Sequence, residues 1–194
     1  MPFFNFNFER PHVIKSTVSV EVYIHAGAIS REQAFKQIDY ANSIWEQAGV
    51  SFHLNPEDIK LFSGSEYLRN NGLFGYGLPC SPASLDDFWN KDTPGKVRIH
   101  FVPNFSKGDS DYSTVRGFMN PYNDRVVIIS SAAMNWNTLS HELGHVFGLG
   151  HLSYEGGYKD YLMYSSPEAW SPKISNGEKV KVKKWLDGFL HQNK

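Results

Sequence analysis

The segment His141-Glu142-Leu143-Gly144-His145-Val146-Phe147-Gly148-Leu149-Gly150-His151 carries three imidazoles, a carboxylate and a glycine in the pattern HExxHxxGxxH. Histidines four positions apart lie one turn apart on one face of an α-helix, so His141 and His145 can reach a single ion. Gly148 is free to take a positive φ, which ends the helix and lets His151 approach from another direction. Three protein ligands leave tetrahedral zinc a fourth position for water, the mark of a catalytic rather than a structural site. Zinc lowers the pKa of that water toward 7. Glu142, beside His141, is placed to accept the proton as general base and to deliver it as general acid. The plainer alternative, a polar helix and turn that happen to carry histidines, leaves the position of Glu142 unexplained.

These residues need a scaffold, and its elements are readable. Val18, Val20, Val22 and Ile24 alternate with Ser19, Glu21 and Tyr23, which predicts a strand over 17–24 with one buried face. Ser30 stands three before Gln33 in capping-box spacing, and Ala34, Ile38, Ala41, Trp45 and Ala48 follow at helical intervals until Gly49 offers a stop. A short strand is expected over 50–54, then mostly loops over 55–94, a stretch rich in Gly, Asn, Ser and Pro. Val97, Ile99 and Phe101 mark another strand, residues 117–121 an edge strand, and the apolar run over 125–130 a more central one. A helix from about Asn137 holds the histidines. A last helix begins near Ser175, three before Glu178, with Val182, Trp185, Leu186 and Phe189 as its apolar stripe. The order implies one α+β (mixed α/β) domain over 1–194, with 1–12 as an N-terminal extension: helices packed on a twisted, mainly parallel sheet with an antiparallel edge strand.

Composition narrows the partners. The 194 residues carry a formal net charge of −1, which provides no long-range attraction for nucleic acid. The cluster Lys179, Lys181, Lys183 and Lys184 reads as a solvated helix face. No run approaches the roughly 20 apolar residues of a membrane span, and the N-terminus lacks a basic start and apolar signal core. The single cysteine, Cys80, excludes an intramolecular disulfide.

With Met163 twelve residues after His151, in Asp160-Tyr161-Leu162-Met163-Tyr164-Ser165, the motif resembles the metzincins, whose pattern adds a methionine turn downstream. The resemblance implies one catalytic zinc and a methionine, Met163, lying beneath the metal without coordinating it. The order of elements is similar to that of matrixin-like catalytic domains. The tyrosine that approaches zinc in astacins and serralysins has no counterpart, since Ser165 occupies its place and Tyr164 is one position off. The resemblance also implies an extended peptide or protein substrate paired with an edge strand, for which Gly117, Phe118 and Met119 are candidates. A specificity pocket would involve Ser166, Pro167 and Trp170, although Trp170 serves equally well as a core anchor of that loop.

The remaining histidines, His12, His25, His53, His100 and His191, read as surface or satisfied core residues rather than ligands of a second zinc. Asp109-Ser110-Asp111 reads as a solvated loop in preference to a calcium site. Cys80 reads as inert rather than as a thiolate switch on the zinc. The aromatic stretch over 3–8 is a candidate cover for the cleft. The expectation is therefore a monomeric zinc-dependent endopeptidase acting outside the producing cell, exported without an ordinary secretion signal. Two rivals stay open: a zinc-containing peptide-binding protein without turnover, and a zinc hydrolase of a nonpeptide amide.

Overall fold

The computed structural model describes residues 16–62, 95–103, 116–119, 126–131, 134–152, 160–164 and 171–192. Its centre is a six-stranded sheet made of β1 (Ser16–His25), β2 (Val50–His53), β3 (Ile59–Phe62), β4 (Lys96–Val102), β5 (Gly117–Met119) and β6 (Val126–Ser130). The order is β2-β1-β4-β6-β5, with β3 also beside β1. Every pairing is parallel except β5 with β6, which is antiparallel and leaves β5 at the edge. This is the mainly parallel sheet with an antiparallel edge strand that the sequence implies.

Three helices among the described residues build on it: α1 (Arg31–Trp45), α2 (Thr138–Val146) and α3 (Asn176–Gln192). The predicted capping box opens α1, with Gln33 N donating to Ser30 Oγ at 3.1 Å and Ser30 N to Gln33 Oε1 at 2.8 Å. The same device opens α3, where Ser175 N donates to Glu178 Oε2 at 2.6 Å and Glu178 N to Ser175 Oγ at 3.2 Å. Gly49, at φ 73°, ends the 3-10 turn that follows α1. None of these helices is long and apolar enough to cross a membrane.

Register explains the core. Val20 pairs with Val97, Val22 with Ile99 and Ile24 with Phe101; Ile99 and Phe101 pair in turn with Val127 and Ile129. Because side chains alternate along a strand, this band lies on one face of the sheet. There it joins Ala34, Ile38 and Ala41 of α1 and Leu139 and Leu143 of α2 in one buried cluster. Beyond the end of α2, Trp45 meets Phe147 edge-on at 4.8 Å, Phe147 meets Trp185 at 5.1 Å, and Trp185 stacks on Phe189 at 4.6 Å. This aromatic chain secures the histidine helix between α1 and α3.

Two expectations are corrected. Strand β1 was expected to bury one face, but Glu21, Tyr23, His25, Arg98 and His100 on the opposite face are buried as well. A parallel strand with neighbours on both sides is covered on both faces. Here the second face is polar, and Arg98 Nε donates to Glu21 Oε2 at 3.3 Å while Lys60 also bonds Glu21. The second adds a short strand, β3, to the stretch read as mostly loops. Its four residues follow a 3-10 turn at Pro56–Asp58, and four positions are too few for an alternation to stand out.

Candidate metal centre

Helix α2 starts from a polar turn rather than a simple cap. Asn135 N donates to Thr138 Oγ1 at 2.9 Å, and Asn137 N to Asn135 Oδ1 at 3.0 Å. Tyr40 of α1 donates to Asn137 Oδ1 at 3.0 Å, and Trp45 Nε1 to the Ser140 carbonyl at 3.2 Å. Leu139, Leu143 and Val146 are buried toward the sheet, so the helix cannot rotate without exposing its apolar side.

The helix ends as its glycine predicts. Gly148 has φ 74°, its N–H donates to the His145 carbonyl at 2.9 Å, and Leu149 N–H donates to the Gly144 carbonyl at 3.0 Å. These two bonds form a Schellman motif, which reverses the chain within one turn and returns His151 toward the helix.

The three imidazoles then converge. His141 Nε2 lies 3.1 Å from His151 Nε2, and His145 Nε2 lies 3.2 Å from the same atom. All three candidate ligand atoms fall within 4.8 Å of one another. A tetrahedral zinc with bonds of about 2.0–2.1 Å holds its ligand nitrogens roughly 3.3–3.4 Å apart. The tautomers agree with this. His141 Nδ1 donates to the Leu162 carbonyl at 2.7 Å and His145 Nδ1 to the Leu149 carbonyl at 2.8 Å, since a carbonyl only accepts. Both Nε2 atoms therefore present lone pairs, and His151 has one hydrogen at most to place between them. A cation at this point resolves the repulsion, so the residues fit zinc. Burial also keeps the imidazoles in the neutral, ligating form: it pushes His141 down to about 3, and lowers His145 and His151.

Glu142 is buried beside them. Loss of solvent pushes its carboxyl up to about 8, opposed by a hydrogen bond from the backbone of Met119 in β5. Helix α2 packs against β5, β6 and α1, so the edge strand and the candidate base are neighbours. Gly117 and Met119 are partly exposed there, and Phe118 lies between them in the strand. Met163 is fully buried, with its thioether against Gly144 of α2. The bonds Leu152 N to Met163 carbonyl at 2.8 Å and the bridge between Leu152 and Tyr164 tie its turn to the residue after His151.

Ser166, Pro167 and Trp170 lie outside the described residues, as do Ser165, Cys80, His12, the stretch 3–8 and Asp109 to Asp111. His53 is exposed and bonds Asn55 at 2.8 Å. Sequence reasoning missed the meeting of His25 and His100, whose Nε2 and Nδ1 atoms lie 3.2 Å apart in the interior. Its only signal was that both occupy the polar register of adjacent strands. Burial pushes His25 down to about 4, and lowers His100, which also feels the charges of His25 and Arg98.

No protein-family profile matches the chain, and no curated protein matches it in sequence. Among solved structures, archaemetzincin from Methanopyrus kandleri is 15% identical with a TM-score of 0.57, over 87% of this chain and 96% of that one. Metalloproteinase-II from Bacteroides fragilis is 18% identical with a TM-score of 0.52; the match covers 89% of this chain but only 56% of the other. At such identities the likeness is one of fold: this chain places its three converging histidines on an architecture it shares with an archaemetzincin and a metalloproteinase.

Proposed function

We propose that this chain is a zinc-dependent endopeptidase of metzincin type that hydrolyses peptide bonds in proteins or peptides. The observation that carries this reading is the convergence of His141, His145 and His151 on one point beside a buried Glu142. The fold likeness to an archaemetzincin and a metalloproteinase supports it.

When bound, one zinc ion supplies Lewis acidity, which makes water nucleophilic at neutral pH and polarises a carbonyl. His141, His145 and His151 would hold the ion through their converging Nε2 atoms. Glu142 takes the proton of the attacking water on a carboxylate oxygen and returns it to the leaving amine. Burial raises the proton affinity of this carboxyl, and a bound zinc ion would offset that shift by favouring the carboxylate that acts as base. The Met119 N–H orients the carboxylate. An extended substrate adds beside Gly117, Phe118 and Met119 at the sheet edge, main chain to main chain.

The test is cleavage of a mixed peptide library by zinc-loaded protein beside the Glu142→Ala variant, with zinc content measured in both. Cleavage by the parent and a loss of about 10²–10⁴-fold in a variant that retains zinc supports the proposal. Zinc in both proteins with no peptide cut by either sinks it and favours a binding protein or a hydrolase of nonpeptide amides.

A further inference from the structure

Gly144 sits in α2 between the two ligands of the helix, one position before His145. A Cβ built there would fall inside the van der Waals surface of the Met163 sulfur, 3.0 Å from Met163 Cε and 3.5 Å from Cγ. The sulfur thus occupies the notch that a missing side chain leaves in the helix. Gly144 is helical and carries no positive φ, so backbone freedom does not explain a glycine here. Helix propensity argues against it, since alanine is the better helix former.

The segment seated in that notch touches the support of two of the three ligands. The carbonyl of Leu162 receives His141 Nδ1–H, and the carbonyl of Met163 receives the N–H of Leu152, next to His151. Leu149, whose carbonyl receives His145 Nδ1–H, is itself bonded through its N–H to the Gly144 carbonyl. Relieving that overlap takes a shift of roughly an ångström at the Met163 thioether, and the part of it taken up by the backbone moves the Leu162 and Met163 carbonyls.

We propose that Gly144 is a positioning residue for the metal: its bare Cα admits the Met163 thioether, and this contact sets the angle at which His141 and His151 meet the ion. The inference rests on the metal-site reading and not on peptide cleavage. A chain that binds zinc and cuts nothing would defeat the protease proposal while leaving this one intact.

The experiment is a cycle of four proteins: parent, Gly144→Ala, Met163→Ala and the double variant. Zinc dissociation constants are measured by chelator competition, and the visible bands of the cobalt-substituted proteins report ligand geometry. Gly144→Ala should weaken zinc binding by about 10–100-fold, the usual effect of disturbing groups that orient metal ligands, and should shift the cobalt bands. With Ala at 163 the notch is empty, so adding Gly144→Ala should leave affinity and spectrum unchanged and raise the melting midpoint of the metal-free protein. Equal losses in both backgrounds, or parental affinity and spectrum in Gly144→Ala, would overturn the proposal. Should Gly144→Ala alone fail to fold, the double variant decides: zinc binding equal to that of Met163→Ala supports the contact, and failure to fold or to bind zinc refutes it.

Discussion

His141 and Leu162 are joined through one short bond: the imidazole Nδ1 donates to the carbonyl at 2.7 Å, fixing both the tautomer and the ring plane. Residue 162 belongs to the turn that carries Met163, so the first ligand is held from outside its own helix. A ligand oriented before the metal arrives needs little reorganisation to bind it.

Zinc that binds only the folded chain should therefore stabilise it. At a free concentration a thousandfold above the dissociation constant the gain is about 4 kcal/mol. For a domain of this size that raises the melting midpoint by roughly 8–16 °C. His151 is exposed, so His151→Ala should leave the metal-free midpoint nearly unchanged while removing most of the rise. Calorimetry with and without chelator measures both; an undiminished rise in the variant would mean that the metal binds elsewhere.

Gly148 and Gly144 should respond to alanine for different reasons. At Gly148 a Cβ meets nothing within 4 Å, but φ is 74°. Gly148→Ala should lower stability by about 1–2 kcal/mol through backbone strain alone. It should also weaken zinc, because the turn that aims His151 opens. If melting and zinc titration give parental values, the Schellman turn does not set the third ligand.

The pair His25 and His100 predicts an acid-sensitive interior. Burial holds His25 at about 4, against about 6.5 in an unfolded chain. Between these values the unfolded state binds the proton and the native state does not, so stability falls as pH drops from 6.5 to 4. The loss approaches about 3 kcal/mol for this residue. His25→Gln should be less stable than the parent at pH 7, with the gap closing toward pH 4. Denaturant titrations at several pH values, on chelator-treated protein so that metal exchange does not contribute, give the comparison. A gap that stays constant with pH would remove the assignment.

The ligand set was legible because its geometry is local. One helical turn and one glycine turn relate His141, His145 and His151, and both follow from spacing. The capping boxes at Ser30 and Ser175 were legible for the same reason. What brought Glu142 to the N–H of Met119, or His25 to His100, was sheet register, which depends on partners distant in sequence. Strand β3 escaped because four residues carry too little period, and the second buried face of β1 escaped because Glu21, in alternation with the valines, reads as solvent-facing in isolation. The role of Gly144 was invisible without the sulfur of Met163 beside it.

The glycine turn after α2 also bears on the order in which the chain assembles. His145 and His151 are 6 residues apart, whereas the Glu21 to Arg98 contact between β1 and β4 spans 77. Closing the longer loop costs about 2 kcal/mol more in chain entropy. The ligand triad is thus a local structure on a non-local sheet. The three donors therefore stay close along the chain before the strands pair, but the geometry that holds zinc tightly is complete only once α2 packs on β5, β6 and α1 and Leu162 reaches His141.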